Sequence, residues 1–202
     1  EEFAAFLIDL AIKENIRDWV LLPSNDHAVF TLSKHKQKIE KYYKTIVPDF
    51  DDLMMIIDKL KLLLIAQKCG VPVPVTEYFT DYDDIDCNLS FPVLTKGKMG
   101  LSFYKTTGKK AFAANTILEL TEQLNQISNK IDLDHTFTQE IIPSDGSNKT
   151  ISFTAFCING KIKSQWTGVK LMEHPLEYGT ATLAQSIKNE VVLNQSKKLL
   201  EE

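Results

Sequence analysis

The segment IIDKLKLLLIAQKCGVPVPVT, residues 56–76, constrains this chain more than any other. Met55, Ile56, Leu60, Leu63 and Leu64 recur at helical spacing, and Asp49, Asp51 or Asp52 can start the helix that carries them. Gly70 stops that helix. Valine and proline then alternate through residues 71–75, and a proline both lacks an N–H and turns the residue before it away from the helical region. The chain must be extended there, so a boundary falls near residue 74, and the patterns on its two sides differ.

Before the boundary, Phe3, Phe6, Leu7, Leu10 and Ala11 give a helix over residues 2–14, and residues 19–22 form a short apolar strand that ends in the turn cluster Pro23-Ser24-Asn25-Asp26. Asn25 or Asp26 caps a helix expected through residues 27–43, and residues 44–47 form a second strand closed by Pro48. Strand, helix, strand implies a parallel sheet, entered partway through. After the boundary, strands are expected at residues 75–79, 91–96, 101–105 and 111–114, a helix at 116–129 and a strand at 135–143, which together make a small α+β lobe. Next, TISFTAFCI alternates and meets a returning strand at Asn159-Gly160, a strong hairpin signal. Residues 183–200 read as a last amphipathic helix.

With 202 residues, 44% of them hydrophobic, the chain can bury a core and fill two lobes. Its 23 basic and 27 acidic residues leave a net charge of −4, which argues against a nucleic-acid surface, so any phosphate is held locally. Cys69, Cys87 and Cys157 show neither disulfide nor zinc spacing, and the simplest compartment is a reducing cytoplasm. No apolar run approaches the roughly 20 residues that span a bilayer, so no membrane is expected. The first residues are acidic and amphipathic, with no initiator Met, as expected of a piece of a longer protein.

The stretch FPVLTKGKMGLSFYKTTGKKAF, residues 91–112, carries Lys96, Lys98, Lys105, Lys109 and Lys110. Its glycines at 97, 100 and 108 match neither phosphate-loop signature, so a solvated hairpin and a phosphate-binding loop both stand open. Lys96 ends an otherwise apolar strand and can extend its ammonium over a cleft. Lys59 taken alone is a lysine on a helix. The backbone of Glu140, Ile141 and Ile142 ends a strand at a lobe boundary and is either a plain crossover or an edge for a flat ring. Glu173, His174 and Glu177 cluster without diagnostic spacing, and Gly179, Thr180 and Thr182 either cap the last helix or offer N–H groups to an anion. No Ser/His/Asp arrangement or HExxH is present, and no catalytic residue is assigned.

Taken in order, LLPSNDHAVFTLSKH, IIDKLKLLLIAQKCGVPVPVT, FPVLTK, GKKAF, FTQEIIPSDGS and TGVKLMEHPLEYGTAT resemble the ATP-grasp superfamily, in the branch of the carbamoyl-phosphate synthase large subunit and D-aspartate ligase. The resemblance runs from about Trp19 to about Ser186. It implies an α/β and α+β chain: the end of a preceding pre-ATP-grasp domain (1–48), a linking helix (49–74), a small ATP-grasp lobe with a lid hairpin (75–142) and an incomplete large lobe (143–202). It implies that Lys59 and Lys96 contact ATP phosphates, with Lys110 a lesser contact and Lys98, Lys105 and Lys109 facing solvent. It further implies that Glu140, Ile141 and Ile142 hold the adenine edge, that Lys149 lies near the ribose, and that Lys170 faces the phosphates or the acyl substrate.

The implied parent is a ligase that uses ATP to activate a small carboxylate as an acyl phosphate for attack by an amine, the fragment itself being inactive. The alternative is a noncatalytic nucleotide-binding or regulatory module. A homodimer is the assembly carried forward. The sequence departs from the family in having Gly97 where proline is usual, and Ser102-Phe103 replaces a glycine-rich lid. The family's Mg²⁺-binding Glu and Glu-x-Asn are expected beyond Glu202, which leaves no metal site within the chain.

Overall fold

The computed structural model describes residues 1–82, 85, 87–143, 149–174, 176 and 179–200. The turn after Pro143 and Glu177 of the Glu173, His174 and Glu177 cluster lie outside the described residues. The chain divides into two units, Glu1–Asp58 and Lys59–Glu202.

The first unit comprises α1 (Glu2–Lys13), β1 (Trp19–Leu21), α2 (Asp26–Lys34), α3 (Lys36–Ile39), β2 (Tyr43–Thr45) and α4 (Phe50–Ile57). Ala4, Leu7 and Ala11, on one face of α1, pack against Leu32, Ile39, Tyr43 and Val47. β1 and β2 pair in parallel, Trp19 opposite Tyr43, with α2 and α3 as the crossover that a parallel pair needs. Asn25 caps α2 by accepting from the Ala28 N–H at 3.0 Å. The helix expected through residue 43 ends earlier, because Tyr43 is drawn into β2 and its buried hydroxyl donates to the Leu7 carbonyl at 2.7 Å.

The second unit comprises α5 (Lys59–Lys68), β3 (Thr76–Glu77), β4 (Val93–Gly97), α6 (Gly100–Thr107), β5 (Phe112–Ala114), α7 (Ile117–Ser128), β6 (Thr136–Glu140), β7 (Ile151–Ile158), β8 (Lys161–His174), β9 (Thr180–Ser186) and α8 (Glu190–Leu200). β3, β6, β4 and β5 form an antiparallel sheet in that order. Its core joins Val93 and Ala114 on the strands to Phe103 of α6 and to Leu120, Leu124 and Ile127 of α7. Each of the larger of these side chains, valine, leucine, isoleucine or phenylalanine, stabilises the unit by about 1.5–3 kcal/mol when removed from water. β7, β8 and β9 form an antiparallel meander. Its first turn is Asn159-Gly160 with φ of 51° and 71°, both left-handed, as a tight hairpin requires.

Three expectations are corrected here. The single helix expected from Asp49–Asp52 to Gly70 is two helices, because Asp58 is extended (ψ 105°). The Lys59 N–H donates to the Lys98 carbonyl at 3.0 Å, whereas in a continuous helix it would bond four residues back. The strand expected at residues 101–105, the second arm of the hairpin, is α6: Phe103 and Thr107 lie one turn apart and buried, and Gly108 ends the helix in the left-handed region (φ 78°). The start of the last expected helix is the strand β9, so Thr180 and Thr182 do not cap a helix, and α8 is capped by Asn189, which accepts from the Val192 N–H at 2.9 Å.

Candidate functional site

Strand alternation sets the site. Val93 and Thr95 of β4 face the helices, and Thr95 shares a buried 2.9 Å hydrogen bond with Thr138 opposite it. Leu94 and Lys96 therefore face the other side of the sheet, where Gln139 stands opposite Leu94 and Phe137 opposite Lys96. The half-buried Lys96 donates from Nζ to Gln139 Oε1 at 3.0 Å.

The break at Asp58 makes Lys59 the first residue of α5, a helix with no acidic residue in its first turn. Its ammonium lies over Gly100, the first residue of α6, where an added Cβ would come within 2.7 Å of Nζ. α6 carries no side-chain cap, Met99 being its N-cap residue. By contrast, α7 is capped by Thr116, which accepts from the Glu119 N–H at 3.2 Å, while Glu119 in turn accepts from the Asn115 N–H at 2.7 Å. A lysine thus stands against the positive end of an uncapped helix, the opposite of the placement that the helix dipole favours.

Two further lysines add to the same field. Lys59 is held below the usual lysine value by desolvation first and by the charge of Lys110 second. Lys96 is held below it by desolvation first and by the charge of Lys59 second. The Lys59 side chain is nonetheless exposed, so the desolvation arises from protein packed on one side of an open ammonium. Lys59, Lys96 and Lys110 therefore form a cationic group beside two helix N-termini, an arrangement that a polyanion relieves. Lys109 turns away, with Nζ 5.0 Å from the centre of the Phe112 ring.

The other residues singled out from the sequence lie apart from these three lysines or have partners of their own. Glu140 accepts from the Ser90 N–H at 2.6 Å, its own N–H donates to the Val75 carbonyl at 3.0 Å, and the Ile141 N–H donates to the Pro92 carbonyl at 3.2 Å. Ile142 is exposed, as is Lys149. Lys170 on β8 is ion-paired with Glu173. A hollow of about 850 Å³ at the β7–β8 turn also gathers lysines, Lys161, Lys163 and Lys197, but α8 ends there and no helix begins there.

The sequence reading did not single out Gln139, which lies in the polar run Thr138-Gln139-Glu140. It noted Gly100 as a loop glycine, because the helix that Gly100 opens had been read as a strand. Among the described residues no group of three or more His, Cys, Asp or Glu is placed to hold a metal ion. No helix among the described residues is long and apolar enough to cross a membrane.

No family model matches the sequence, and no curated protein matches it. Solved structures do. The L-amino acid ligase of Bacillus licheniformis superposes with a TM-score of 0.65 at 14% identity, over 98% of this chain and 44% of that one. The D-alanine--D-alanine ligase of Bacillus anthracis, solved in complex with ATP, superposes with a TM-score of 0.60 at 14% identity, over 96% of this chain and 62% of that one. The chain therefore spans 44% and 62% of the lengths of these two structures. What the likeness establishes is the architecture: this is a mixed α/β chain with the ATP-grasp fold.

Proposed function

We propose that the chain binds ATP, with the triphosphate lying across Lys59, Lys96 and Lys110. The observation that carries this reading is the meeting of three lysines, two with lowered pKa, beside the N-terminus of α6. In the same reading Glu140 to Ile142, at and just after the end of β6, border the adenine, Lys149 lies towards the ribose, and Lys170 towards the phosphates or the acyl substrate. The domain limits are 1–48, 49–74, 75–142 and 143–202, with residues 91–112, which include α6, forming the lid over the phosphates.

The whole protein would be a cytoplasmic ATP-dependent carboxylate–amine ligase of the carbamoyl-phosphate synthase-like or D-aspartate ligase-like branch, working as a homodimer without nucleic acid or membrane. A carboxylate oxygen attacks the γ-phosphorus and ADP leaves. The amine then attacks the acyl carbon, the C–O bond to phosphate breaks, and the amine proton passes to solvent. The residues described here supply positioning and charge neutralisation in the first step. Mg²⁺ would be held by residues outside those described.

The lysine shifts give this reading a signed test. In the free protein Lys59 and Lys96 lose their protons below the usual value of 10.5. A bound triphosphate favours the charged form, so in the window between the lowered values and 10.5 binding takes up protons, and affinity falls as pH rises through that window. Below the window both lysines are charged in either state, and their contribution does not vary with pH. Calorimetric titration with ATP in buffers of different ionisation enthalpy checks this. Proton uptake with weakening alkaline affinity is expected; no binding, or binding unchanged across the window, contradicts it.

A further inference from the structure

We infer that Gln139 is the positioning residue of Lys96, a neutral acceptor that aims the ammonium at the phosphate-binding face without cancelling its charge. The inference rests on the reading of the cluster as a polyphosphate site. Gln139 is buried at 8% exposure on β6 and directs Oε1 at Lys96 Nζ across the strand pair, 3.0 Å away. A carboxamide is the side chain that can do this and leave the charge intact. Its oxygen accepts one of the three ammonium protons, and the other two remain for a ligand.

A carboxylate at the same point would make a half-buried ion pair, which holds a lysine in its charged form but spends that charge inside the protein. Among the described residues, the groups around Lys96 show no such compensation. Its partner across the sheet is Phe137, the residues flanking it are Thr95 and Gly97, and the charge that acts on it is another cation, Lys59, itself acted on by Lys110. Gln139 thus lets two lysines of like charge stand near each other in the folded protein, one of them pinned, with their attraction for a polyanion undiminished.

The test uses the whole chain and two substitutions that keep the side-chain volume, Gln139→Glu and Gln139→Met. The readouts are the titration midpoint of Lys96, followed by the ¹³Cε resonance assigned with Lys96→Arg, and the affinities for inorganic tripolyphosphate and ATP. Gln139→Glu is expected to raise the Lys96 midpoint and to weaken both ligands about 10-fold or more at neutral pH, since a charge-assisted contact is turned inward. Gln139→Met is expected to weaken both ligands without raising the midpoint, because the ammonium keeps its charge and loses its aim. A merely structural role for Gln139 predicts that both variants lower thermal stability while Gln139→Met leaves the ligand affinities of the folded protein at the wild-type value; that result, or an unmoved midpoint in Gln139→Glu, overturns the inference. Failure of the unsubstituted chain to bind either ligand, with the midpoint raised in Gln139→Glu, overturns the polyphosphate reading instead.

Discussion

Lys96→Ala is expected to weaken ATP binding by about 10- to 150-fold, the range set by losing one charge-assisted contact of about 1.5–3 kcal/mol. Lys59→Ala is expected to fall in the same range. The double variant is expected to lose more than the product of the two, because in each single variant the remaining lysine compensates in part. Lys96 is depressed partly by Lys59, so removing Lys59 relieves Lys96 and strengthens its remaining hold on the ligand. Calorimetry on the two single variants and the double variant checks this. Lys98→Ala and Lys105→Ala serve as controls for loss of general positive charge and should change affinity less than about threefold at physiological ionic strength. Both substitutions at the cluster should leave stability unchanged or raised. A lysine with a lowered pKa in the folded chain penalises folding wherever it is charged, and folding becomes more favourable as pH rises from the lowered value towards 10.5.

Two glycines three residues apart are expected to give opposite results. A Cβ at Gly97 would lie 2.2 Å from the Cβ of Phe103 and 2.5 Å from its ring, and Phe103 is buried at 1% exposure with an edge-on contact to Phe112 at 5.9 Å. Nothing there can swing aside, so Gly97→Ala must push α6 off β4. The cost is about 1–3 kcal/mol or more of overpacking, which lowers the melting temperature of this unit by about 5 °C.

At Gly100 the neighbour is the free end of Lys59, 2.7 Å from the added Cβ. Gly100→Ala should therefore displace only the ammonium, with stability held or slightly raised by the better helix former, while ATP affinity falls. Thermal unfolding and ATP titration of both variants separate the two effects. A destabilised Gly100→Ala, or a Gly97→Ala as stable as the parent, contradicts this account of the packing. The same geometry explains Gly97 itself: α6 folds back onto β4 so closely that no side chain fits.

Much of the fold was legible because local signals and tertiary structure agreed. The Asn159-Gly160 hairpin, the Thr116-capped helix and the alternation of β4 and β6 all appear where periodicity put them. The failures occurred where a distant partner overrode local preference. LSFYKTT has the aromatic and β-branched residues of a strand, but burial of Phe103 against Val93 and the stop at Gly108 make it a helix. Residues 183–186, LAQS, favour a helix, but every residue of β9 is exposed, so no burial pattern marks the strand, and its pairing with β8 decides its structure. The break at Asp58 depends on the Lys98 carbonyl, forty residues along the chain, about which the run MMIIDKLKLL carries no information.

That break also governs what was visible of the site. Lys59 and Lys96 could be singled out by their order along the chain, but their convergence with Lys110 on the start of α6 is a product of folding. So is the contact that binds Lys96 to Gln139.

The most direct test of a triphosphate site at these lysines is a lysine-resolved NMR titration of the chain with ATP. Resonances of Lys59, Lys96 and Lys110 should shift together, and the midpoints of Lys59 and Lys96 should rise towards 10.5 on binding, while Lys161, Lys163 and Lys197 at the β7–β8 hollow stay unmoved. Shifts confined to the three lysines of the β7–β8 hollow, or lowered midpoints that ATP leaves in place, would contradict the account.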